Sequence, residues 1–254
     1  MSTGAITSTI DVAQLTLYAF WVFFAGLIYY LHRENKREGY PLESEGSARG
    51  TVEGFPPMPE PKIYLLADGS MVVAPDPRRA TTQLAAQPFA GHTGSPLVPS
   101  GNPMLDGIGP GAYAQRADVV DRTVDGLPRI VPLRSAPGFA VAGRDIDPRG
   151  LPVVGCDGLE GGTVHEVWVD RSETLFRYLE VTPDGAARNV LLPVNFARIG
   201  RRAVRVDSVK AEHFAQVPLT QHPDQVTLLE EEKIVAYYGA GTLYATASRA
   251  EPLL

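Results

Sequence analysis

The sequence predicts a membrane-anchored α+β chain with one N-terminal transmembrane helix, an extended proline-rich segment and a mainly-β domain that ends in a C-terminal helix. Three observations carry this prediction. An uncharged run of twenty residues lies near the N-terminus, twelve of the 22 prolines fall between Pro41 and Pro110, and short apolar runs separated by turn signals fill the chain from Phe139 onward.

The uncharged run, Val12 to Leu31, reads VAQLTLYAFWVFFAGLIYYL. At about 1.5 Å rise per residue it matches a hydrocarbon core roughly 30 Å thick. Ten of its residues are Val, Leu, Ile or Phe. Each favours insertion by about 0.3 to 0.6 kcal/mol, so together they supply on the order of −3 to −6 kcal/mol. Gln14 and Thr16 lie near one end, where polarity costs least. A cleavable signal peptide is the competing reading. Against it, Met1 to Asp11 holds no Lys or Arg, the apolar run exceeds the usual signal length, and no A-x-A site follows. Arg33, Lys36 and Arg37 follow the span and no basic residue precedes it, which places the bulk of the chain on the cytoplasmic side. Tyr30, Arg33, Lys36 and Arg37 are candidates for the lipid headgroup interface, where a cation gains about 1 kcal/mol.

Prolines in FPPMPEPK and APDPRR remove backbone donors and forbid long helices or central strands, so residues 32–110 are expected to run extended over a partner surface. Within them Ile63 to Leu66 and Met71 to Val73 flank Asp68-Gly69, a hairpin signal. The expected division is therefore an N-terminal stretch on the far side of the membrane at 1–11, the span at 12–31, the extended segment at 32–110 and a β domain with its terminal helix at 111–254. Candidate strands in that domain are Leu151 to Val154, Thr163 to Val169, Leu175 to Val181, Val190 to Val194 and Ala203 to Val206. Pro183-Asp184-Gly185 and Arg171 to Thr174 supply turns between them. Strands this short suggest a small barrel or a strongly bent sheet. Thr227 precedes Glu230 at capping-box spacing and opens LLEEEKIVAYYGAGTLYA, the terminal helix, whose first turn takes Glu230, Glu231 and Glu232.

Composition removes several function classes. Net charge is −6 with both signs dispersed, so no basic stripe is available for nucleic acid. The single cysteine, Cys156, allows neither an internal disulfide nor a thiolate-rich zinc site. No Walker A, G-x-S-x-G, paired C-x-x-C or H-E-x-x-H motif is intact. His165-Glu166 has Val169 where a second histidine belongs, and Gly107 to Tyr113 (GIGPGAY) follows no apolar strand, so it reads as a tight loop. What remains is an ionisable cluster around one hairpin: Glu166, Asp170, Arg171, Glu173 and Arg177. It is either a solvated hairpin with weak ion pairs or a chain of carboxylates able to pass protons.

FWVFFAGLIYYL with ENKREGYPLE, GNPMLDGIGP, GLPVVGCDG, VWVDRSETLFRYLEV and VTLLEEEKI resemble, in the same order, the H subunit of purple-bacterial photosynthetic reaction centres. The resemblance covers nearly the whole chain and thins between Gly46 and Ser100. It implies a bacterial inner membrane crossed once with the N-terminus in the periplasm, a PRC-barrel-like cytoplasmic domain, and a non-enzymatic subunit that binds no pigment, metal or other cofactor itself. It implies that the subunit caps the L and M subunits, which carry bacteriochlorophyll, bacteriopheophytin, quinones and a non-haem iron. Membrane lipids, antenna complexes and a cytochrome are the further partners it allows. Protons reach the secondary quinone through the H subunit in that family during light-driven electron transport. Residue by residue, Glu173 matches a buried glutamate beside the quinone pocket, with Asp170 and Arg177 as hairpin neighbours and Arg177 as its partner. Asp118, Asp121 and Asp125 match an acidic proton-uptake region. Some relatives place two histidines there, but Val124 to Pro128 contains none, so the aspartates serve alone. The alternatives are a PRC-barrel membrane adaptor for another partner and, further off, a membrane-tethered enzyme.

Overall fold

A computed structural model describes residues 11–43, 51–67, 69–76, 84–92 and 95–249. The expected periplasmic stretch before Asp11 and the Asp68 of the hairpin signal lie outside the described residues. The chain divides into two compact units, one within residues 1–82 and 92–94, the other within 83–91 and 95–254.

In the first unit α1 spans Val12–Asn35, about 36 Å long. The Asp11 carboxylate caps it by accepting the Gln14 N–H at 2.7 Å. The polar side chains of its N-terminal turns bond within the helix, Gln14 to the Tyr18 hydroxyl and Thr16 to the Val12 carbonyl, each at 2.8 Å. That internal satisfaction is what an apolar solvent requires. No residue before Lys36 in this helix is buried by the chain itself, so the apolar face of Phe20, Trp21 and Phe24 is free for lipid or neighbouring helices. Beyond the helix, β1 (Leu42–Glu43) pairs β2 (Thr51–Val52), and β3 (Lys62–Leu65) pairs β4 (Met71–Ala74) in the expected hairpin.

The second unit opens with a hairpin of β5 (Ala86–Pro88) and β6 (Leu97–Pro99). Its main sheet comprises β7 (Ile130–Pro132), β8 (Pro152–Val154), β9 (Glu160–Asp170), β10 (Leu175–Pro183), β11 (Val190–Pro193), β12 (Ala197–Ile199) and β13 (Val204–Val206). The order is β11-β10-β9-β8-β13-β12, all antiparallel except β8 with β13. One edge of β9 is long enough to be shared: β8 pairs its first half and β7 its last three residues. The five expected strands are present, each shifted by a few residues at its ends. Two more were not expected, because β7 and β12 are each only three residues long and β7 is closed by a proline.

Five consecutive residues of β9, Glu166 to Asp170, are buried, so both faces of its second half are covered. The core gathers Val167, Trp168, Val169, Leu179 and Leu192 from the sheet with Ile234, Tyr237 and Tyr238 from α2 (Leu228–Tyr244). The capping box forms as expected: Thr227 Oγ1 accepts from Glu230 N at 3.1 Å and Glu230 accepts from Thr227 N at 2.8 Å. The glycine-rich loop 107–113 packs on this helix. A Cβ on Gly239 would stand 2.5 Å from the Pro110 carbonyl oxygen, and one on Gly111 2.9 Å from the Ala240 Cβ. Close backbone approach, rather than a phosphate cradle, is why glycine occupies both positions.

Candidate functional site

The β9–β10 turn is built by Asp170. Its carboxylate accepts the N–H groups of Ser172 at 2.9 Å and Glu173 at 3.0 Å, an Asx-type turn, and its carbonyl accepts Thr174 N at 2.9 Å. Thr174 closes the turn at φ 55°, a costly conformation for a β-branched residue. The turn thereby points Glu173 outward, its side chain half exposed in this chain.

The group that organises these acids is Arg129, which immediately precedes β7. Its backbone is fixed from both sides: its N–H donates to the Asp121 carbonyl at 2.8 Å and its carbonyl accepts Arg171 N at 3.0 Å. Ile130 stands opposite Asp170 in the β7–β9 register, so the Arg129 side chain meets the end of β9. Its Nε lies 2.9 and 3.1 Å from the two Asp170 oxygens, its Nη1 3.2 Å from Asp121, and its Nη2 2.5 Å from Glu173. One guanidinium thus holds three carboxylates, only one of which, Asp170, is fully buried. Burial alone would push the Asp170 carboxyl up, but Arg129 and the two turn N–H groups outweigh it and hold it below the usual range. The same contacts, that with Asp170 foremost, raise Arg129 further.

The predicted residues divide accordingly. Asp170, Glu173 and Asp121 come together on Arg129. Asp118 lies elsewhere: its oxygens accept the Thr227 hydroxyl at 2.6 Å and the Gln221 amide at 3.0 Å at the start of α2, and the Thr227 bond lowers its pKa. Asp125 is exposed in the turn that Gly126 N closes on the Thr123 carbonyl. Arg177 does not pair with Glu173. It is the extra residue of a bulge, because Phe176 pairs Val169 while Tyr178 already pairs Trp168, and its charge bears on Glu231 instead. His165 is likewise the extra residue of the second bulge in this pair of strands. Among the described residues no three His, Cys, Asp or Glu side chains gather in a way that could hold a metal ion.

In the first unit Tyr30 is exposed and Arg33 half-buried. Lys36, expected at headgroups, is buried at 3% exposure. Its ammonium donates to the carbonyls of Glu53 and Pro56 and sits 5.1 Å from the Tyr40 ring centre, so its charge is spent inside the chain. Arg37 is similarly engaged with both Glu34 oxygens and with the carbonyls of Glu60 and Ala74.

Two buried polar networks had no counterpart in the sequence reading. Glu180, nearly fully buried, accepts from Trp168 Nε1 at 2.9 Å, Arg134 at 2.8 Å and Asn189 at 2.6 Å. Burial would raise its pKa, and these donors, Arg134 first, bring it below the usual range. Tyr178 donates its hydroxyl to Glu231 at 2.9 Å, while burial holds that carboxyl above the usual range. Both join residues far apart in sequence, and only Trp168, a buried aromatic needing a partner for its N–H, signalled one in advance.

An apolar helix long enough to cross a membrane and unburied by its own chain, joined to a mainly-β domain that ends in a helix, is the architecture of a membrane-anchored protein. Comparison with known families narrows this: the model of the photosynthetic reaction centre H-chain N-terminal region matches residues 4–135, more than half of the chain, and the PRC-barrel domain model matches residues 144–213. The chain belongs to the photosynthetic reaction centre H-chain family. It is accordingly a non-enzymatic, pigment-free subunit that associates with a reaction centre core. Helix α2 lies beyond both matches.

Proposed function

We propose that this subunit caps the L and M subunits from the cytoplasmic side, with its N-terminus in the periplasm, and supplies groups that carry protons toward the secondary quinone. The observation that carries this reading is the convergence of Asp121, Asp170 and Glu173 on Arg129. In it, residues 1–11, 12–31, 32–110 and 111–254 serve as periplasmic end, anchor, covering segment and barrel domain. Bacteriochlorophyll, bacteriopheophytin, quinones and non-haem iron belong to the partner subunits. Tyr30 and Arg33 meet lipid headgroups, whereas Lys36 and Arg37 brace the loops above them.

The chain's own acids divide the work by environment. Asp170, held ionised, positions Arg129 and shapes the turn. Glu173 sits at the outer end of the same guanidinium, half exposed, and is the group that takes up and releases a proton as charge changes in the core. Asp121, on the same guanidinium, and Asp125, exposed in its turn, pass protons inward. Asp118 is bonded at the start of α2 and contributes its negative charge. Arg177 acts on Glu231 rather than on Glu173.

The test is a pull-down through a C-terminal tag, followed by near-infrared spectroscopy and flash-induced proton uptake. Bacteriochlorophyll bands that bleach in light, with proton uptake slowed in Glu173→Gln, are expected. A colourless pull-down from pigmented membranes would remove the reaction-centre partners, and uptake unchanged in Glu173→Gln would remove the proton role.

A further inference from the structure

The β3–β4 hairpin carries one face that none of the described residues covers. Pairing of Ile63 with Val73 and of Leu65 with Met71 puts these four side chains on the same side. They stand 68, 40, 76 and 71% exposed, in that order. The opposite face, with Tyr64, Val72 and Ala74, is turned toward the end of α1, where it lines a pocket with Glu34 and Arg37. The root of the hairpin is bracketed to the helix: Arg37 donates to the carbonyls of Glu60 at 2.6 Å and Ala74 at 3.0 Å, and Lys62 reaches Glu34 at 2.6 Å. Glu34 and Arg37 follow Leu31 by about 5 and 9 Å along the helix direction. The hairpin root therefore lies at headgroup depth, whichever way the helix crosses.

We propose that the face formed by Ile63, Leu65, Met71 and Val73 is a second membrane contact, seated in the headgroup–acyl boundary of the bilayer beside α1. Three features favour lipid over a protein surface. The patch is aliphatic throughout, whereas protein interfaces concentrate their energy in Trp, Tyr and Arg. The hairpin that carries it is bonded at its root to the end of the anchoring helix, a few residues beyond the hydrocarbon. The cations beside it are bonded internally, Arg37 bracing the hairpin root against the helix and Lys36 holding the carbonyls of Glu53 and Pro56, so neither reaches for headgroups itself. A large apolar face left open on a chain that is already membrane-anchored is best covered by the acyl chains next to it. The inference rests on the membrane anchoring of α1 and is independent of the proton-transfer reading.

A spin label on Leu65→Cys, in a chain also carrying Cys156→Ser, tests this in the tagged complex reconstituted in phospholipid nanodiscs. Collisions with oxygen and with a water-soluble nickel chelate are compared with those at Leu159→Cys, an exposed position of the other unit. The expected pattern is a gain in oxygen collisions and a loss of nickel collisions at residue 65 relative to 159. Nickel accessibility equal to that at 159 would mean the face is in water and overturns the proposal. Shielding from both reagents would mean that a protein subunit covers it, which overturns the lipid occupant as well. The pigment bands of the same sample report on the core partnership separately, so a colourless sample with the lipid-like pattern would leave this inference standing.

Discussion

Arg129→Gln removes a guanidinium shared by three carboxylates, and the structure sets the size of the loss. Asp121 and Glu173 are 39% and 50% exposed, so their pairs carry about 0 to 1 kcal/mol each. Asp170 is fully buried, and removing the partner of a buried charge costs about 3 to 5 kcal/mol. The lower end applies, because Ser172 N and Glu173 N still donate to it. Urea unfolding of the full chain in detergent, followed by tryptophan fluorescence, should therefore show a deficit of about 3 kcal/mol near neutral pH. The pH dependence follows from the direction of the Asp170 shift. A carboxyl whose pKa is depressed by folding contributes stability above its unfolded value of about 3.9, and this is lost as pH falls through the folded value. In the variant the guanidinium that opposes burial is gone, so the carboxyl rises and the stability its ionisation contributes shrinks. The gap between the two proteins should be widest near neutrality and narrow as pH falls through about 4. A wild-type midpoint at neutral pH, or a gap unchanged by acid, would refute the charge-sharing argument.

Other perturbations read the remaining contacts. Glu180→Ala strands the Trp168 N–H in the core, together with the half-buried Asn189 amide, and should cost about 3 kcal/mol with loss of near-ultraviolet dichroism; a melt like the parent's would contradict it. Gly239→Ala drives a Cβ to 2.5 Å from the Pro110 carbonyl and should lower stability by about 1 to 3 kcal/mol in a thermal melt. Thr227→Val removes the cap of α2 together with a donor to Asp118; about 1 to 2 kcal/mol should be lost, and the Asp118 carboxyl should rise in a carbon-13 titration. In Tyr178→Phe, burial acts on Glu231 without the opposing hydroxyl bond, so its pKa should climb further; a fall in the same titration would show that the hydroxyl is not its donor.

Much of the fold is visible in local sequence because its causes are local. Val12 to Leu31 reads as a span from transfer energies that sum residue by residue, the Thr227–Glu230 box needs only three residues, and the hairpin flanking Gly69 needs its turn and two apolar runs. β7 escaped notice since its three residues, Ile130–Pro132, are a strand only through pairing with the far end of β9. The family resemblance drew attention to Glu173 and Asp170, but it did not reveal which cation they share.

That cation marks the boundary between the two kinds of information. The sequence by itself determined the membrane anchor, the mainly-β domain, the terminal helix, and a set of acids around one hairpin. Tertiary structure alone decided that Arg129, not Arg177, holds them, across separations of 8, 41 and 44 residues. It also turned Lys36 inward and left Ile63, Leu65, Met71 and Val73 uncovered. The reason is physical: propensity, capping and membrane transfer depend on neighbours a few positions away. Ion pairing and burial depend instead on sheet register and on bulges, which set the side chains that finally meet.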